Sequence, residues 1–361
     1  MPLIYFTVTN DLTYDQRMIR ICSTLSSAGY IIVLVGRTKS NSLVFEKMPF
    51  VQKRLPGIFS KGWLFYAEYN IRLFFFLLFK KMDGICAIDL DTIIPCYLIS
   101  KLKNIKRVYD AHELFCEMKE IVSRPRIYKV WKWIEKNTVP HFKNGYTVSL
   151  PIAEEFYKLY ACNYEVIRNV ALYEPGYREK KEKIIIYQGA VNEGRCFEML
   201  IPAMQWIDAP LYIYGEGNFI EKARQLAIDY DVTNKIHFQG MVTPSELKVY
   251  TNKAYIGITL FEREGLSNYY SLANRFFDYI HAGIPQLCMD YPVYRDLNNL
   301  HNVAVLIDDL SAANIAENIN SILNDTVTWQ ILHNNCVEAA KTLNWQTEEK
   351  KLISIYKKIF G

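Results

Sequence analysis

Asn268-Tyr269-Tyr270-Ser271-Leu272-Ala273-Asn274-Arg275-Phe276-Phe277-Asp278-Tyr279-Ile280-His281-Ala282-Gly283-Ile284-Pro285 reads as a loop, a helix and a stop. Ser271 is a natural N-cap, because its hydroxyl accepts a hydrogen bond from the first unpaired amides. Gly283 suits the left-handed position that ends a helix, and Pro285 forbids its continuation. Ser271, Asn274 and Asp278 recur at i, i+3 and i+7 and mark a polar face, while Phe276, Phe277 and Ile280 mark an apolar one. A helix that buries one side and turns its start outward offers free N–H groups, and about half a positive charge, to an anion such as phosphate. An ordinary amphipathic helix has the same spacing, so the anion reading needs support from the rest of the chain.

Around this stretch lie 361 residues, enough for two domains, half of them hydrophobic. The start, Met1-Pro2-Leu3-Ile4-Tyr5-Phe6, lacks a charged region and a cleavage site, so no signal peptide is expected. Eight scattered cysteines without a C-x-x-C pair fit a reducing cytoplasm better than a disulfide framework or a zinc site. Residues 1–170 hold 24 Lys and Arg against 15 Asp and Glu, leaving 18 against 23 in the remainder. The basic half is expected to face something anionic.

The first half alternates strand and helix patterns, as in a doubly wound α/β sheet. Strands are expected at Leu3–Thr9, Tyr30–Val35, Gly84–Ile88, Lys106–Tyr109, Gly145–Ser149 and Tyr164–Arg168. The loop after the first strand reads Asn10-Asp11-Leu12-Thr13-Tyr14-Asp15-Gln16-Arg17 and contains no G-x-G-x-x-G, which argues against a nicotinamide oxidoreductase. Asp11 and Arg17 stand at a strand end, where open α/β sheets bind ligands; helix capping by Asp11 or Thr13 and a surface Arg17 is the other reading. His112, in Asp110-Ala111-His112-Glu113, stands at another strand end between carboxylates. Residues 53–81 crowd Phe59, Trp63, Phe65, Tyr66, Tyr69 and Leu73–Phe79 among Lys53, Arg54, Lys61, Arg72, Lys80 and Lys81. The run Leu73–Phe79 is far short of the roughly 20 residues that span a bilayer. Either it packs against the sheet, or it lies with the basic, aromatic segment 124–136 on an anionic lipid surface.

A polar, charged segment, Ala171–Lys183, is the expected linker. A second parallel sheet then begins at Ile184–Tyr187 and continues through Pro210–Tyr214, Lys235–Phe238, Tyr255–Thr259, Gln286–Met289 and Val303–Leu306. Gly215-Glu216-Gly217 at a strand end would let backbone approach a ligand, a weak signal alone. Helices are expected near 311–323, 326–342 and 345–360. Acidic residues dominate this half, and no nucleic-acid-binding motif is present.

"VYDAHELF" (residues 108–115) and "YYSLANRFFDYIHAGIP" (residues 269–285), with "NDLTYDQR" (residues 10–17), resemble the family 4 glycosyltransferases, in particular bacterial surface-polysaccharide enzymes. The resemblance runs nearly the whole chain. It implies the GT-B fold, two Rossmann-like doubly wound parallel-sheet domains facing a cleft. The boundaries would be 1–170 for an acceptor domain, 171–344 for a nucleotide-sugar domain and 345–361 for a terminal helix returning to the first. It implies retaining, metal-independent transfer of a sugar from a nucleotide-sugar co-substrate, with no other cofactor, to a glycan or lipid-linked hydroxyl acceptor. In it His112 lies beside the sugar, and Arg195, with Ser271, Leu272, Ala273 and Asn274, holds the donor diphosphate. Asp278 binds the ribose, Gly217, Gly240 and Met241 flank the ribose and base, and Asp11 and Arg17 face the acceptor. The family's paired glutamates fall on Tyr270 and Asp278; Glu262 or Glu264 are the substitutes at hand for the first. A second basic residue common beside the first glycine of the 188–195 loop is replaced by Ala190. These departures leave two other readings open, a non-catalytic sugar-nucleotide-binding protein and a nucleotide-sugar epimerase. The expected location is cytoplasmic, peripheral at the inner face of the membrane.

Overall fold

The computed structural model describes every residue except 14, 40, 41 and 176–179, so Tyr14 and the middle of the expected linker lie outside the described residues. The chain divides into two compact units. The first comprises Met1–Asn169 with Thr347–Gly361, and the second Val170–Gln346.

The first unit is built on seven parallel strands: β1 (Leu3–Thr7), β2 (Ile31–Arg37), β3 (Val51–Leu55), β4 (Gly84–Ile88), β5 (Lys106–Ala111), β6 (Asn144–Thr147) and β7 (Glu165–Val166). Their spatial order is β3-β2-β1-β4-β5-β6-β7. The central strands are continuous apolar runs because helices cover both faces of a parallel sheet. β3 escaped the sequence reading because it is an edge strand, and its Val-Gln-Lys-Arg-Leu has no buried alternation. The terminal helix Trp345–Phe360 completes this unit from Thr347 onward. Its Tyr356 stacks on Phe6 at 6.1 Å. Its Phe360 fills the space over Gly84, where a Cβ would come within 2.4 Å of the ring.

The helix Gly62–Leu78 carries two stripes of different fate. Tyr69, Leu73 and Leu77, at i, i+4 and i+8, are buried; Ile71, Phe75 and Phe79, at the same spacing on the opposite side, are exposed. The segment thus packs against the sheet and also leaves an apolar stripe uncovered. Tyr66 meets Trp131 of the helix Pro125–Thr138 at 5.1 Å, which joins the two basic, aromatic segments. Among the described residues no helix is long and apolar enough to cross a membrane.

The second unit holds β8 (Ile185–Gln188), β9 (Leu211–Tyr214), β10 (Ile236–Gly240), β11 (Ile256–Thr259), β12 (Gln286–Met289) and β13 (Ala304–Ile307). They are parallel, in the order β10-β9-β8-β11-β12-β13. The helix Asn274–Ala282 lies directly on this sheet. Gly257 lacks a side chain where a Cβ would strike the Tyr279 ring at 2.3 Å, and the Tyr279 hydroxyl donates to Ile186 O at 3.2 Å. Gly283 ends the helix at φ 66°, as its sequence position requires. The N-terminus corrects the sequence reading, since the cap is Ala273 rather than Ser271. A short helix, Leu266–Tyr269, precedes it, and Ser271 belongs to the turn between the two. With alanine at the cap, no side chain competes for the first amides of the helix.

Candidate functional site

In the second unit the strand ends and the helix start bring together most of the residues singled out for the donor. The loop after β8 runs past Gly189 to Arg195, whose guanidinium lies over the Phe261 ring at 4.6 Å. Glu262 N donates to Gly194 O at 3.0 Å, so the loop carrying Arg195 is tied to the segment carrying Glu262. Burial and then Glu262 push the Cys196 thiol up, with Arg275 and Arg195 opposing, which puts these charges in one neighbourhood. Glu264 is exposed and Tyr270 half-buried.

Asp278 is half-buried, and its Oδ2 accepts from Gln188 Nε2 at 2.8 Å. Gln188 Oε1 in turn accepts from the Thr251 hydroxyl at 2.7 Å, so the carboxylate is oriented by a chain of side chains anchored in the sheet. Asn274 is exposed at the helix start, and Leu272 is buried. The amide of Ala273 is already used, donating to the Tyr294 hydroxyl at 2.9 Å. Gly217 has a structural reason of its own, since a Cβ there would lie 2.2 Å from Val191 O. Gly240 takes φ 70°, and Met241 beyond it is 63 % exposed.

The first unit gathers a different set. Arg17 is buried and donates from Nη2 to Asp110 Oδ1 at 2.8 Å and from Nη1 to Ile167 O at 3.1 Å. It is therefore no surface arginine; it holds Asp110. His112 lies between two carboxylates, with Nε2 3.2 Å from Asp110 Oδ2 and Nδ1 3.4 Å from Asp89 Oδ2. Its backbone amide also donates to Asp89 Oδ1 at 2.8 Å. Burial opposes protonation of His112, but Asp89 and Asp110 outweigh it and raise its pKa to about 9. Asp110, for which burial works the other way, is held below the usual carboxylate range by Arg17 and then His112. Burial pushes Asp89 up to about 7, and this residue sits at φ 50°, a conformation that costs a non-glycine residue energy and recurs at functional sites. Asp91 accepts from the Thr9 hydroxyl at 2.6 Å. Asp11 is a turn residue: it accepts from Thr13 N at 3.1 Å, and its carbonyl accepts from Arg54 Nε at 2.6 Å. The cap of the following helix is Asp15, not Asp11 or Thr13.

Residues 174–343 match the family model for glycosyl transferases group 1. The chain carries a group 1 glycosyl transferase domain. Solved structures agree at the level of fold. Sucrose-phosphate synthase from Thermosynechococcus elongatus superposes with a TM-score of 0.81 at 16% identity, covering 100% of this chain and 99% of that one. WaaG, a glycosyltransferase involved in lipopolysaccharide biosynthesis, gives 0.77 at 16%, covering 99% and 100%. HepE of Anabaena, in complex with UDP and glucose, gives 0.76 at 11%, covering 99% and 100%. No curated protein sequence matches significantly. The architecture is GT-B, two Rossmann-like parallel-sheet α/β units.

Within the group 1 domain the sequence reading located Arg195, Asn274 and Asp278 but passed over Gln188, Thr251 and Arg275. Arg275 is the second residue of the Asn274–Ala282 helix, and only 7 % of it is exposed. In the first unit the carboxylates that flank His112 in sequence include Asp110 but not Asp89. Asp110 stands at the end of β5 two residues before His112, whereas Asp89 follows the end of β4, a separate strand. Among the described residues no group of three or more His, Cys, Asp or Glu side chains is arranged to hold a metal ion.

Proposed function

We propose that this chain transfers a sugar from a nucleotide-sugar donor to a hydroxyl of a glycan or lipid-linked acceptor, with retention of configuration and without a metal ion. The observation that carries the reading is the group 1 match over residues 174–343, which contains the Arg195 loop, the uncapped helix start and Asp278. HepE, with the same fold, is described in complex with UDP and glucose, and WaaG as a lipopolysaccharide enzyme. These support a nucleoside diphosphate leaving group and a glycan acceptor.

Arg195 and the amides at the start of the Asn274–Ala282 helix offset the charge that builds on the diphosphate as the glycosidic bond breaks. Arginine suits this task because its planar fork binds phosphate oxygens two at a time. Asp278, steadied by Gln188, accepts from the ribose hydroxyls. His112, held protonated at neutral pH between Asp110 and Asp89, sets positive charge beside the sugar or acceptor. Metal independence is supported by the use made of the Asp89-Leu90-Asp91 sequence, whose carboxylates serve His112 and Thr9. Among the described residues the carboxylates beside His112 are engaged with His112, Arg17 and Thr9, which leaves none assigned as a covalent nucleophile. We therefore assign front-side substitution, in which the acceptor oxygen attacks from the face the diphosphate leaves. The exposed apolar stripe Ile71, Phe75 and Phe79 and the surrounding lysines would hold the enzyme on an anionic membrane.

The test is a panel of nucleotide sugars assayed for slow donor hydrolysis and for transfer, with and without EDTA. Release of a nucleoside diphosphate that persists in EDTA supports the reading. Strict dependence on magnesium or manganese overturns the metal-free mechanism. Binding without turnover favours the non-catalytic alternative, and interconversion of the nucleotide sugar without an acceptor favours an epimerase.

A further inference from the structure

Arg275 presents a physical problem that the fold does not solve by itself. Its guanidinium is buried between two aromatic rings, 4.5 Å from the centroid of Tyr187 and 4.6 Å from that of Phe261. Nη1 donates to Gln188 O at 2.9 Å. Nε and Nη2 are buried and find no hydrogen-bond acceptor among the described residues. The ionisable groups that bear most on this charge are the phenols of Tyr187, which also comes within hydrogen-bond reach, and of Tyr279 and Tyr294. Glu262 shares the neighbourhood through Cys196, but the groups that act most on Arg275 include no carboxylate among the described residues. A buried cation without a counter-charge is costly, and so are donors without acceptors. The two rings offset part of that cost by cation–π attraction; they cannot accept the remaining N–H groups as a carbonyl or phosphate would.

The place of this charge is informative. Gly189, the first residue of the loop that leads to Arg195, would put a Cβ 3.0 Å from Arg275 Nη1 and takes φ 123°, so the loop passes directly over the guanidinium. Arg195 lies on the same Phe261 ring at 4.6 Å, the distance at which Arg275 lies. One ring thus carries two guanidinium groups, one buried and one partly exposed. Position 190, where a second basic residue was expected in this loop, is alanine.

We propose that Arg275 is the buried second positive charge of the diphosphate site, taking over from the helix the part that Ala190 cannot play in the loop. It is a positioning residue. It fixes the start of the loop through Gln188 and acts on the phosphates through a low-dielectric interior, where a charge is poorly screened. This rests on the reading that the second unit binds a nucleoside diphosphate. The bound phosphates are then the counter-charge that the protein lacks.

The experiment compares nucleoside, nucleoside monophosphate and nucleoside diphosphate by calorimetry. A panel of UDP, GDP, ADP and CDP against the wild-type chain first identifies the base. If none binds, the functional reading fails, and this inference with it. Once a base is found, Arg275→Met should weaken the diphosphate roughly 10–100-fold. The monophosphate should lose less, and the nucleoside should bind as before within about twofold. Arg275→Lys, which keeps the charge and guards against a misfolded neutral variant, should keep most of the preference for diphosphate over nucleoside. Equal losses for all three ligands would make Arg275 a packing residue. A diphosphate preference unchanged in Arg275→Met, or abolished in Arg275→Lys while the nucleoside still binds, would also overturn the proposal and leave the functional reading standing.

Discussion

At the end of β5 the Arg17 guanidinium meets Asp110 at 2.8 Å, and Asp110 with Asp89 flanks His112. At the end of β8 the Arg275 guanidinium meets rings, one carbonyl and, among the described residues, no carboxylate. Both arginines are buried, at 3 % and 7 % exposure, so both face the same cost of leaving water. One cost is met inside the chain. The other is met only in part, at the place where a diphosphate is proposed to bind. The cluster at the end of β5 completes its own charge pattern and so can set the protonation state of one histidine. The one at the end of β8 keeps positive charge in reserve for a ligand.

The contrast breaks most directly at Asp110. Asp110→Ala strands the buried Arg17 and removes one of the two carboxylates around His112, so a loss of about 3–5 kcal/mol is expected. Arg275→Met in the ligand-free chain should cost far less, because it removes a charge that had no counter-charge among the described residues. Chemical denaturation of the two variants measures both. Equal losses would mean that the second arginine is as fully compensated as the first.

Next in size is the effect on turnover. Arg195→Ala should weaken donor binding and slow transfer roughly 10²–10³-fold, as when one charge-stabilising donor is removed. His112→Ala should leave nucleoside-diphosphate affinity nearly unchanged while turnover collapses. Calorimetry with free nucleotide and transfer rates at saturating donor separate the two. Normal turnover in His112→Ala would reduce the first cluster to a structural device.

The self-compensated cluster also makes a claim about protons. His112 is expected to titrate near pH 9 rather than near its ordinary 6.5. Its raised pKa means that its contribution to stability is fully present below the unfolded value and is lost as pH rises through about 9. NMR titration of the imidazole measures the pKa directly, and Asp89→Asn should bring it down. A wild-type value near 6.5 would show that the two carboxylates do no more than balance the effect of burial.

Asp278→Ala should weaken any nucleoside diphosphate by roughly tenfold to a hundredfold, the worth of charged hydrogen bonds. Gln188→Ala should do the same to a smaller degree, because it only orients the carboxylate. An unchanged dissociation constant in Asp278→Ala would make that residue part of the helix surface alone.

The parallel strands were legible because their buried runs carry their own signal; Gly84–Ile88 and Gln286–Met289 stand at the residues expected. So was Gly283, whose φ of 66° no other residue adopts so readily. The start of the same helix was not. Ser271 has the stronger capping propensity, yet tertiary packing of Leu272 and the bond from Ala273 N to Tyr294 place the first turn at Asn274. Arg275 was hidden for a related reason. A cation beside Asn274 reads as part of the polar face, and only the rings of Tyr187 and Phe261, far away in sequence, turn it into a buried group. The pairing of Asp89 with His112 likewise joins the ends of two strands, a relation that topology creates and spacing does not record.

The first unit also leaves an apolar demand unmet, and the helix Gly62–Leu78 shows where. Tyr69, Leu73 and Leu77 satisfy the sheet, while Ile71, Phe75 and Phe79 do not touch it and remain 58 %, 55 % and 81 % exposed. Trp63, at 76 %, extends the same surface, with Lys61, Arg72, Lys80 and Lys81 around it. Apolar side chains ringed by lysine suit an anionic lipid surface, where each basic residue adds about 1 kcal/mol and salt weakens the attraction. The chain should therefore float with anionic liposomes at low salt and release as salt rises. Phe75→Glu with Phe79→Glu should abolish flotation and leave the melting temperature nearly unchanged, because neither ring is buried. A large fall in melting temperature would show that the stripe packs against protein. Flotation that survives the double substitution would move the lipid contact to the exposed Val130 and Trp133 of the helix Pro125–Thr138.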